Sequence, residues 1–469
     1  MILFSGLNDW IIRNMTSEAF KERINNSGIP LAGLVYKENY DTYQNELLKN
    51  LSMQSFPMET KQWEEYGDRV KKVSRYLDYA SISKLSRVNN TTLRIKKRAK
   101  ANNSFIKKTK LEAKFTLFKA LRFLSLEEKY VKKFEESFAD LPEYSKAKEF
   151  LKEKGIKMLI SCSPETPYDV LWVSAAKELH IKTYAWIRSW DNITTKIAYL
   201  PETDGVFVWS SLMEEEFKIY YPYYSTEIFR IGALQFDGHS DQSLIMKRDE
   251  FFKLTGLDPD KEFITYTTGG PRICPNEHKI VEKLAGVLDR MGLVNKPQIL
   301  LRVHPYFWRT DLKLEFDNPN IIVWPPRDKI EQLKGGETKG LIDDYKVMLS
   351  TFYYQKINVN IASTVTIDSC IFDKPVINIA FDPEEGLKFE QSVARYYEYD
   401  HYKPLVESGG VRIARSPEEF HKIFLMYYKD PSIDREGRRK IVEIECGMVD
   451  GQAGGRFADK IVNLYKNIN

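Results

Sequence analysis

Short apolar runs alternate with stretches of helical period along this chain, and the alternation comes in two cycles. The first cycle holds ILF at 2–4, LAGLVY at 31–36, KMLISCS at 157–163, IKTYAWI at 181–187, DGVFVWS at 204–210 and FRIGA at 229–233. The second holds EFITYTTGG at 262–270, QILLRVHP at 298–305, NIIVWPP at 320–326, INVNIAS at 357–363 and KPVINIAF at 374–381. Between these runs, PYDVLWVSAAKELH, EHKIVEKLAGVLDRMG, YKVMLSTFYYQK and TVTIDSCIFD repeat at helical spacing. Strands joined through helices pair in parallel, with right-handed crossovers. Two such cycles, parted near 235–255, predict an α/β chain of two Rossmann-like domains facing a central cleft. The N-terminal domain is expected over 1–235 and the C-terminal domain over 236–469, with a helical insertion in the first from about 45 to 151.

Length agrees, because 469 residues exceed what one hydrophobic core serves. With 70 Lys+Arg against 66 Asp+Glu, the net charge of +4 excludes a polyelectrolyte binder built on overall charge. Cys162, Cys274, Cys370 and Cys446 are far apart in sequence, so neither a zinc knuckle nor a disulfide framework is expected. The opening MILFSGLNDWIIRN lacks a basic region followed by a long apolar one, and no run approaches eighteen apolar residues. The expectation is a cytoplasmic protein without a spanning segment. GGETKG at 335–340 reads as a flexible loop, and no short-period internal repeat is visible.

In doubly wound sheets, ligands bind beyond the carboxyl ends of the strands. That rule singles out three places in the second cycle. Thr267, Thr268, Gly269 and Gly270 follow one strand, where glycines let a backbone approach a phosphate. Arg302, His304 and Pro305 follow the next. Ser363 and Thr364 open a helix, where they serve equally as an N-cap or, with the free N–H groups, as a phosphate site. Arg302 also reads as a solvated strand end, and TTGG as an ordinary turn. Three phosphate-compatible ends on one sheet edge favour a phosphate or diphosphate site. Asp368, four residues after Thr364, is expected to face that site or cap a turn. Asp382 and Glu384 in FDPEEG stand where a ribose or sugar hydroxyl could be gripped, or form an acidic loop. No carboxylate cluster with metal spacing accompanies them, so the expectation is no metal and no cofactor.

RVHP, ASTVTIDSCIFDKPVINIAFD, VRIARSPEEF, the tail DGQAGGRFADKIV and, earlier, RSWDNITTK carry a resemblance. Their order and spacing over roughly 155–465 resemble the GT-B glycosyltransferases of bacterial surface-polysaccharide (capsule and lipopolysaccharide) biosynthesis. The resemblance implies that His304, Pro305, Ser363 and Thr364 hold the phosphates of a nucleotide-activated sugar. UDP-GlcNAc 2-epimerases share this fold, but their DSGG-type glycine pair is missing here.

Glycosyl transfer further needs an acceptor hydroxyl and, where configuration inverts, a base within reach of it. Glu165 and Asp191 stand after strand ends of the first cycle and are the candidate bases; a first-turn helix charge and an Asx turn are their plainer readings. Trp190 and Asn192 beside Asp191, with Arg13 and Asn14 after the first strand, are the candidate acceptor contacts. From Lys84 to Arg122 the chain carries thirteen Lys or Arg and one acid, Glu112. Phe105, Leu111, Phe115, Phe118 and Leu121 interleave at helical spacing, which suits packing on the first domain or contact with an anionic membrane surface. Nucleic acid is not an expected partner. The resulting expectation is a metal-independent transferase with a nucleotide-sugar donor and a glycan or lipid-linked acceptor, peripheral at the inner face of the membrane. The alternatives are a CMP- or CDP-linked transfer (sialyltransferase-like, Kdo-type or glycerophosphotransferase) and a non-catalytic scaffold of the same fold.

Overall fold

The computed structural model describes residues 1–35 except 8 and 16, the strand 51–55, the helical positions 109, 113, 116, 117 and 120, and residues 135–468 except 137, 140, 165, 197–199, 223, 271–272, 305–312, 327–337 and 390. The chain divides into two compact units, Met1–Asp237 with Asp450–Asn469, and Gly238–Val449. The last twenty residues therefore belong with the first unit, not with the second as the expected 236–469 domain had it.

The first unit is built on a parallel sheet in the order β3-β2-β1-β4-β5-β6-β7. Its strands are β1 (Ile2–Ser5), β2 (Leu31–Val35), β3 (Leu51–Ser55), β4 (Met158–Ser161), β5 (Lys182–Trp186), β6 (Gly205–Val208) and β7 (Glu227–Arg230). Side chains alternate across it, as strand geometry demands. Phe4 and Ile160 face a core shared with the helices Asp9–Met15, Glu18–Ser27 and Ala453–Lys466; Leu3 and Leu159 face one shared with Pro142–Glu153 and Pro167–Glu178. The expected 45–151 insertion thus contributes an edge strand, Leu51–Ser55, before any described helix. Of the basic tract, only Thr109, Ala113, Thr116, Leu117 and Ala120 are described, all exposed helical positions; the apolar stripe lies outside the described residues.

The second unit repeats the plan in the order β10-β9-β8-β11-β12-β13. Here the strands are β8 (Phe263–Thr267), β9 (Gln298–Arg302), β10 (Ile321–Trp324), β11 (Asn358–Asn360), β12 (Val376–Ile379) and β13 (Arg412–Ala414). The helices His278–Arg290 and Pro417–Lys429 cover one face, Arg248–Thr255 and Thr338–Tyr354 the other. Thr338–Gly340, expected in a flexible loop, are the first turn of the last of these helices. In both sheets the chain reverses direction of growth beside the first strand, between β1 and β4 and between β8 and β11. Those two switch points are where a doubly wound sheet opens a crevice for a ligand.

The tail motif proves to be a packing device. Asp237 accepts from the Ala453 and Gly454 N–H groups at 2.9 and 2.7 Å, capping the C-terminal helix. Burial nevertheless pushes its carboxyl above the ordinary range. A Cβ on Gly454 would meet Ser17 Oγ at 2.3 Å, so glycine is what lets this helix lie against Glu18–Ser27, with Phe20 and Phe457 stacked at 5.8 Å.

At the edge of the second sheet, Asp434 accepts from Arg412 Nε at 2.6 Å, Arg412 Nη2 at 2.7 Å and Tyr427 Oη at 2.8 Å. Burial opposes its ionisation, but these donors win and hold the carboxyl below its ordinary value. A carboxylate depressed in the folded state adds stability above its unfolded pKa of about 4 and loses it as pH falls through the folded value. Unfolding temperature should therefore drop on acidification below about pH 4, and Asp434→Asn should flatten part of that limb. An unchanged acid limb in the variant would mean that the pair contributes nothing.

Candidate functional site

At the carboxyl edge of the second sheet, one residue from each of four neighbouring strands stands in register. Arg302 of β9 pairs with Thr267 of β8, Thr267 with Asn360 of β11, and Asn360 with Asn378 of β12. All four are buried, Asn360 and Asn378 completely. A row of polar side chains in a protein interior is tolerated only when its groups are paired. Most of these are. Asn358 Nδ2 reaches Thr267 Oγ1 at 3.4 Å, Asn360 Nδ2 reaches Asn358 Oδ1 at 2.8 Å, and Asn378 Nδ2 reaches Asn360 Oδ1 at 3.1 Å. Tyr402 closes the row, donating to Asn378 Oδ1 at 2.9 Å.

Arg302 is the exception. Its Nη2 donates to Asp344 Oδ2 at 2.7 Å, and Trp324 Nε1 donates to the other carboxylate oxygen at 3.3 Å. Its Nη1, also buried, has no partner. Arg302 is therefore not a solvated strand end but a buried cation with one donor nitrogen left open. An unmet buried donor costs about 1–3 kcal/mol, and more when charged.

The glycine turn after β8 is more occupied than its sequence suggests. Thr268 uses its hydroxyl to accept from His304 N–H at 3.0 Å, joining the exits of β8 and β9. Gly269 N–H donates to the Glu277 carboxylate at 3.1 and 3.3 Å, and Tyr266 Oη donates to the same group at 3.0 Å. Burial drives the Tyr266 hydroxyl well above its ordinary pKa, so it is a fixed donor. The Gly269 amide is thus committed within the protein, leaving half-buried Gly270 as the open part of the turn. His304 is half-buried beside it, and Pro305 lies outside the described residues.

Across the switch point, Ser363 and Thr364 follow β11 directly. Ser363 N–H donates to Asn360 Oδ1 at 3.1 Å, and its hydroxyl is not the helix cap. Thr364 occupies the cap position of Val365–Ile371 but makes no side-chain cap bond. The helix has seven residues, so its dipole is weak and the hydroxyls matter more than the dipole read from sequence. Ala362, just before them, sits at φ 39°, a strained conformation for a residue with a Cβ.

The other expected donor contacts are spent elsewhere. Asp368 is buried and bonded to His239 Nε2 at 2.8 Å, and so holds the helix from behind. Asp382 accepts from Val393 N–H at 2.8 Å and shapes its own loop. Glu384 is exposed and paired with Lys279 at 2.7 Å, whose ammonium holds its carboxyl below the ordinary range.

In the first unit, Asp191 Oδ1 accepts from Ser189 Oγ at 2.7 Å while its carbonyl accepts from Thr195 Oγ1 at 2.7 Å. Both bonds lie at the start of the π-helical segment Asn192–Lys196. Trp190 is 3% exposed, so its ring is core and not a surface for a sugar. Arg13 is half-buried. Asn14 and Asn192 are buried, and Asn14 Nδ2 and Asn192 Oδ1 have no partner. Glu165 lies outside the described residues. Asp169, in the same SCSPETPYD segment as Glu165 and after the same strand end, is wholly buried between the ends of β1 and β4. It accepts from Ser161 Oγ at 2.6 Å and Ser163 N–H at 3.0 Å.

A cavity of about 420 Å³ lies instead at the amino-terminal edge of the first sheet, lined by Lys182, Thr183, Glu202 and Asp204 among others. That is the wrong edge for a doubly wound site, and Asp204 there is already satisfied by Lys182 and Thr183. Among the described residues no group of three or more His, Cys, Asp or Glu side chains is placed to hold a metal ion. None of their helices is long and apolar enough to cross a membrane.

No family model matches the sequence, and no curated protein matches it. Solved structures are. The UDP-GlcNAc 2-epimerase from Methanocaldococcus jannaschii superposes with a TM-score of 0.51 at 11% identity, over 98% of this chain and 99% of its own. The putative UDP-N-acetylglucosamine 2-epimerase from Listeria monocytogenes gives 0.52 at 9% identity, over 100% and 97%. The UDP-GlcNAc 2-epimerase from Neisseria meningitidis, bound to UDP-GlcNAc, gives 0.51 at 9%, over 99% of both. The chain has the GT-B fold. Identities this low carry the fold and no more, so what this GT-B protein does must come from its own side chains.

Proposed function

We propose that this GT-B protein is a glycosyltransferase that moves a sugar from a nucleotide-activated donor to a glycan or lipid-linked acceptor in surface-polysaccharide assembly. The observation that carries the reading is the open Arg302 Nη1, a buried cationic donor at the carboxyl edge of β9. A donor diphosphate supplies the acceptor oxygens it lacks. The Ser363 and Thr364 hydroxyls stand at the end of β11, on the far side of β8 from Arg302, where they add neutral donors. A GT-B protein is known here to hold UDP-GlcNAc, so a nucleotide sugar is a ligand that this fold accommodates.

In this reading the acceptor hydroxyl attacks the anomeric carbon as its bond to the diphosphate oxygen breaks. Arg302, Ser363 and Thr364 take up the charge that develops on the leaving group, the task such preorganised donors perform best. Asp191 or Glu165 receives the hydroxyl proton if configuration inverts. No protein-held metal is assigned a part in these steps. The missing DSGG-type glycine pair argues against epimerisation.

Thermal unfolding with CMP, CDP, UDP, GDP and ADP, with and without EDTA, tests the reading. A ligand bound only by the folded state adds RT ln(1 + [L]/Kd), about 2.7 kcal/mol at a hundredfold excess over Kd. The expected result is a rise with one nucleotide that survives EDTA. A cytidine nucleotide giving the rise selects the CMP- or CDP-linked alternative. No rise with any of the five would favour a scaffold that binds no donor.

A further inference from the structure

Asn360 does more than fill the polar row. It is wholly buried at the last position of β11, two residues before the strained Ala362 and three before Ser363. Its Oδ1 accepts from Ser363 N–H at 3.1 Å and from Asn378 Nδ2 at 3.1 Å. Its Nδ2 donates to Asn358 Oδ1 at 2.8 Å and to Thr366 Oγ1 at 3.1 Å. A side-chain amide offers two donor hydrogens and an acceptor oxygen, and here both ends are filled.

The geometry points to Asn360 as the positioning residue of the Ser363–Thr364 turn: it holds that turn in the shape that meets a diphosphate. This inference rests on the reading of the turn as part of the donor site. The chain leaves β11 through Ala362 at φ 39°, a strained conformation that persists only where surrounding bonds impose it. Asn360 supplies such bonds from beneath, one to the backbone before the turn's second hydroxyl and one to Thr366 after it. Thr366 is in turn tied to Tyr402 Oη at 3.0 Å, so the turn is gripped on both flanks. Asparagine suits this place because the oxygen must accept from a backbone N–H while the nitrogen donates to Asn358. A carboxylate would set two acceptors face to face at 2.8 Å, and an alanine would leave both Ser363 N–H and Asn358 Oδ1 unmet.

Asn358 provides the control. It is equally buried and belongs to the same network, bonded to Thr267, Gln355 and Asn360, but it makes no bond to the Ser363–Thr364 turn. Asn360→Ala and Asn358→Ala should lose similar stability, so a general loosening of the core would affect ligand binding alike in both. The experiment measures affinity for inorganic pyrophosphate, and for whichever of CMP, CDP, UDP, GDP and ADP binds the parent protein, by calorimetry well below each unfolding temperature. Ser363→Ala is measured alongside.

The expected result is a loss of about tenfold or more in affinity for Asn360→Ala, the equivalent of one hydrogen bond to a charged group, with Asn358→Ala within about twofold of the parent. Amide exchange at Ser363 should quicken in Asn360→Ala alone. Equal losses in both variants, or parental affinity in Asn360→Ala, would overturn the proposal while a weakened Ser363→Ala keeps the donor-site reading standing. Parental affinity in Ser363→Ala would remove the turn from the site, and this inference with it. A parent protein that binds none of the probes would sink both.

Discussion

Arg302→Met should abolish nucleotide binding, and it should also destabilise the protein. The two effects can be separated. Arg302 and Asp344 form a largely buried pair, with side chains 5% and 17% exposed. Removing one member of such a pair strands the other, which costs about 3–5 kcal/mol. Asp344 would keep only the Trp324 Nε1 donor at 3.3 Å. Replacing both charges with neutral groups of similar size is often close to neutral for stability. The Arg302→Met/Asp344→Asn double variant should therefore recover most of the lost stability and none of the nucleotide-induced thermal shift. Asp344→Asn alone should keep the shift, because the guanidinium remains and its charge is less neutralised. If the double variant instead shows the parental shift with the same nucleotide, Arg302 is a structural ion pair only, and the open Nη1 has nothing to do with a ligand.

How much of this was legible beforehand divides along physical lines. The alternation of apolar runs and helical stretches foretells two parallel sheets, because a strand buried on both faces has to read as a continuous apolar run. β3 and β13 escaped for the same reason in reverse. LSMQS is half polar, and Arg412–Ala414 is a three-residue edge strand, so neither presents such a run. The carboxyl-end rule found the region of the candidate site, since it depends only on topology. It could not say which groups there remain available. Arg302 meets a carboxylate forty-two positions away and Asp368 a histidine 129 positions away. Glu277 reaches back from the start of the following helix to claim the Gly269 amide. Such pairings are set by tertiary packing and leave no local pattern. One signal was present and passed over. TYT, NVN and the Asn of VIN each put a polar residue at the same height in neighbouring strands, which in a buried sheet calls for a network.

Gly437→Ala should destabilise the second unit by about 1–2 kcal/mol or more, although it improves the local helix. Gly437 lies inside the helix Arg435–Cys446, where alanine is favoured over glycine by about 1 kcal/mol. Against that gain stands the loop Gly409–Gly410, packed backbone to backbone on the helix. A Cβ at 437 would lie 2.4 Å from Gly410 N and 2.5 Å from Gly409 C, and neither is a flexible side chain that can turn aside. Overpacking a rigid contact typically costs about 1–3 kcal/mol and can exceed it. Here the helix is further pinned by Arg438, wholly buried and bonded to Asp373 and to the Ile433 and Pro431 carbonyls. It cannot slide to make room without breaking those bonds, so the clash outweighs the propensity gain. The strain should also reach the candidate site, because this helix packs on Val365–Ile371, directly behind Ser363 and Thr364. Denaturant unfolding of Gly437→Ala and of Glu436→Ala, an exposed neighbour on the same helix, decides the matter. A lower midpoint for Gly437→Ala with an unchanged one for Glu436→Ala is the expected result. A Gly437→Ala protein as stable as the parent would show that the Gly409–Gly410 loop yields, and that the close approach of the two backbones constrains neither the helix nor the turn it supports.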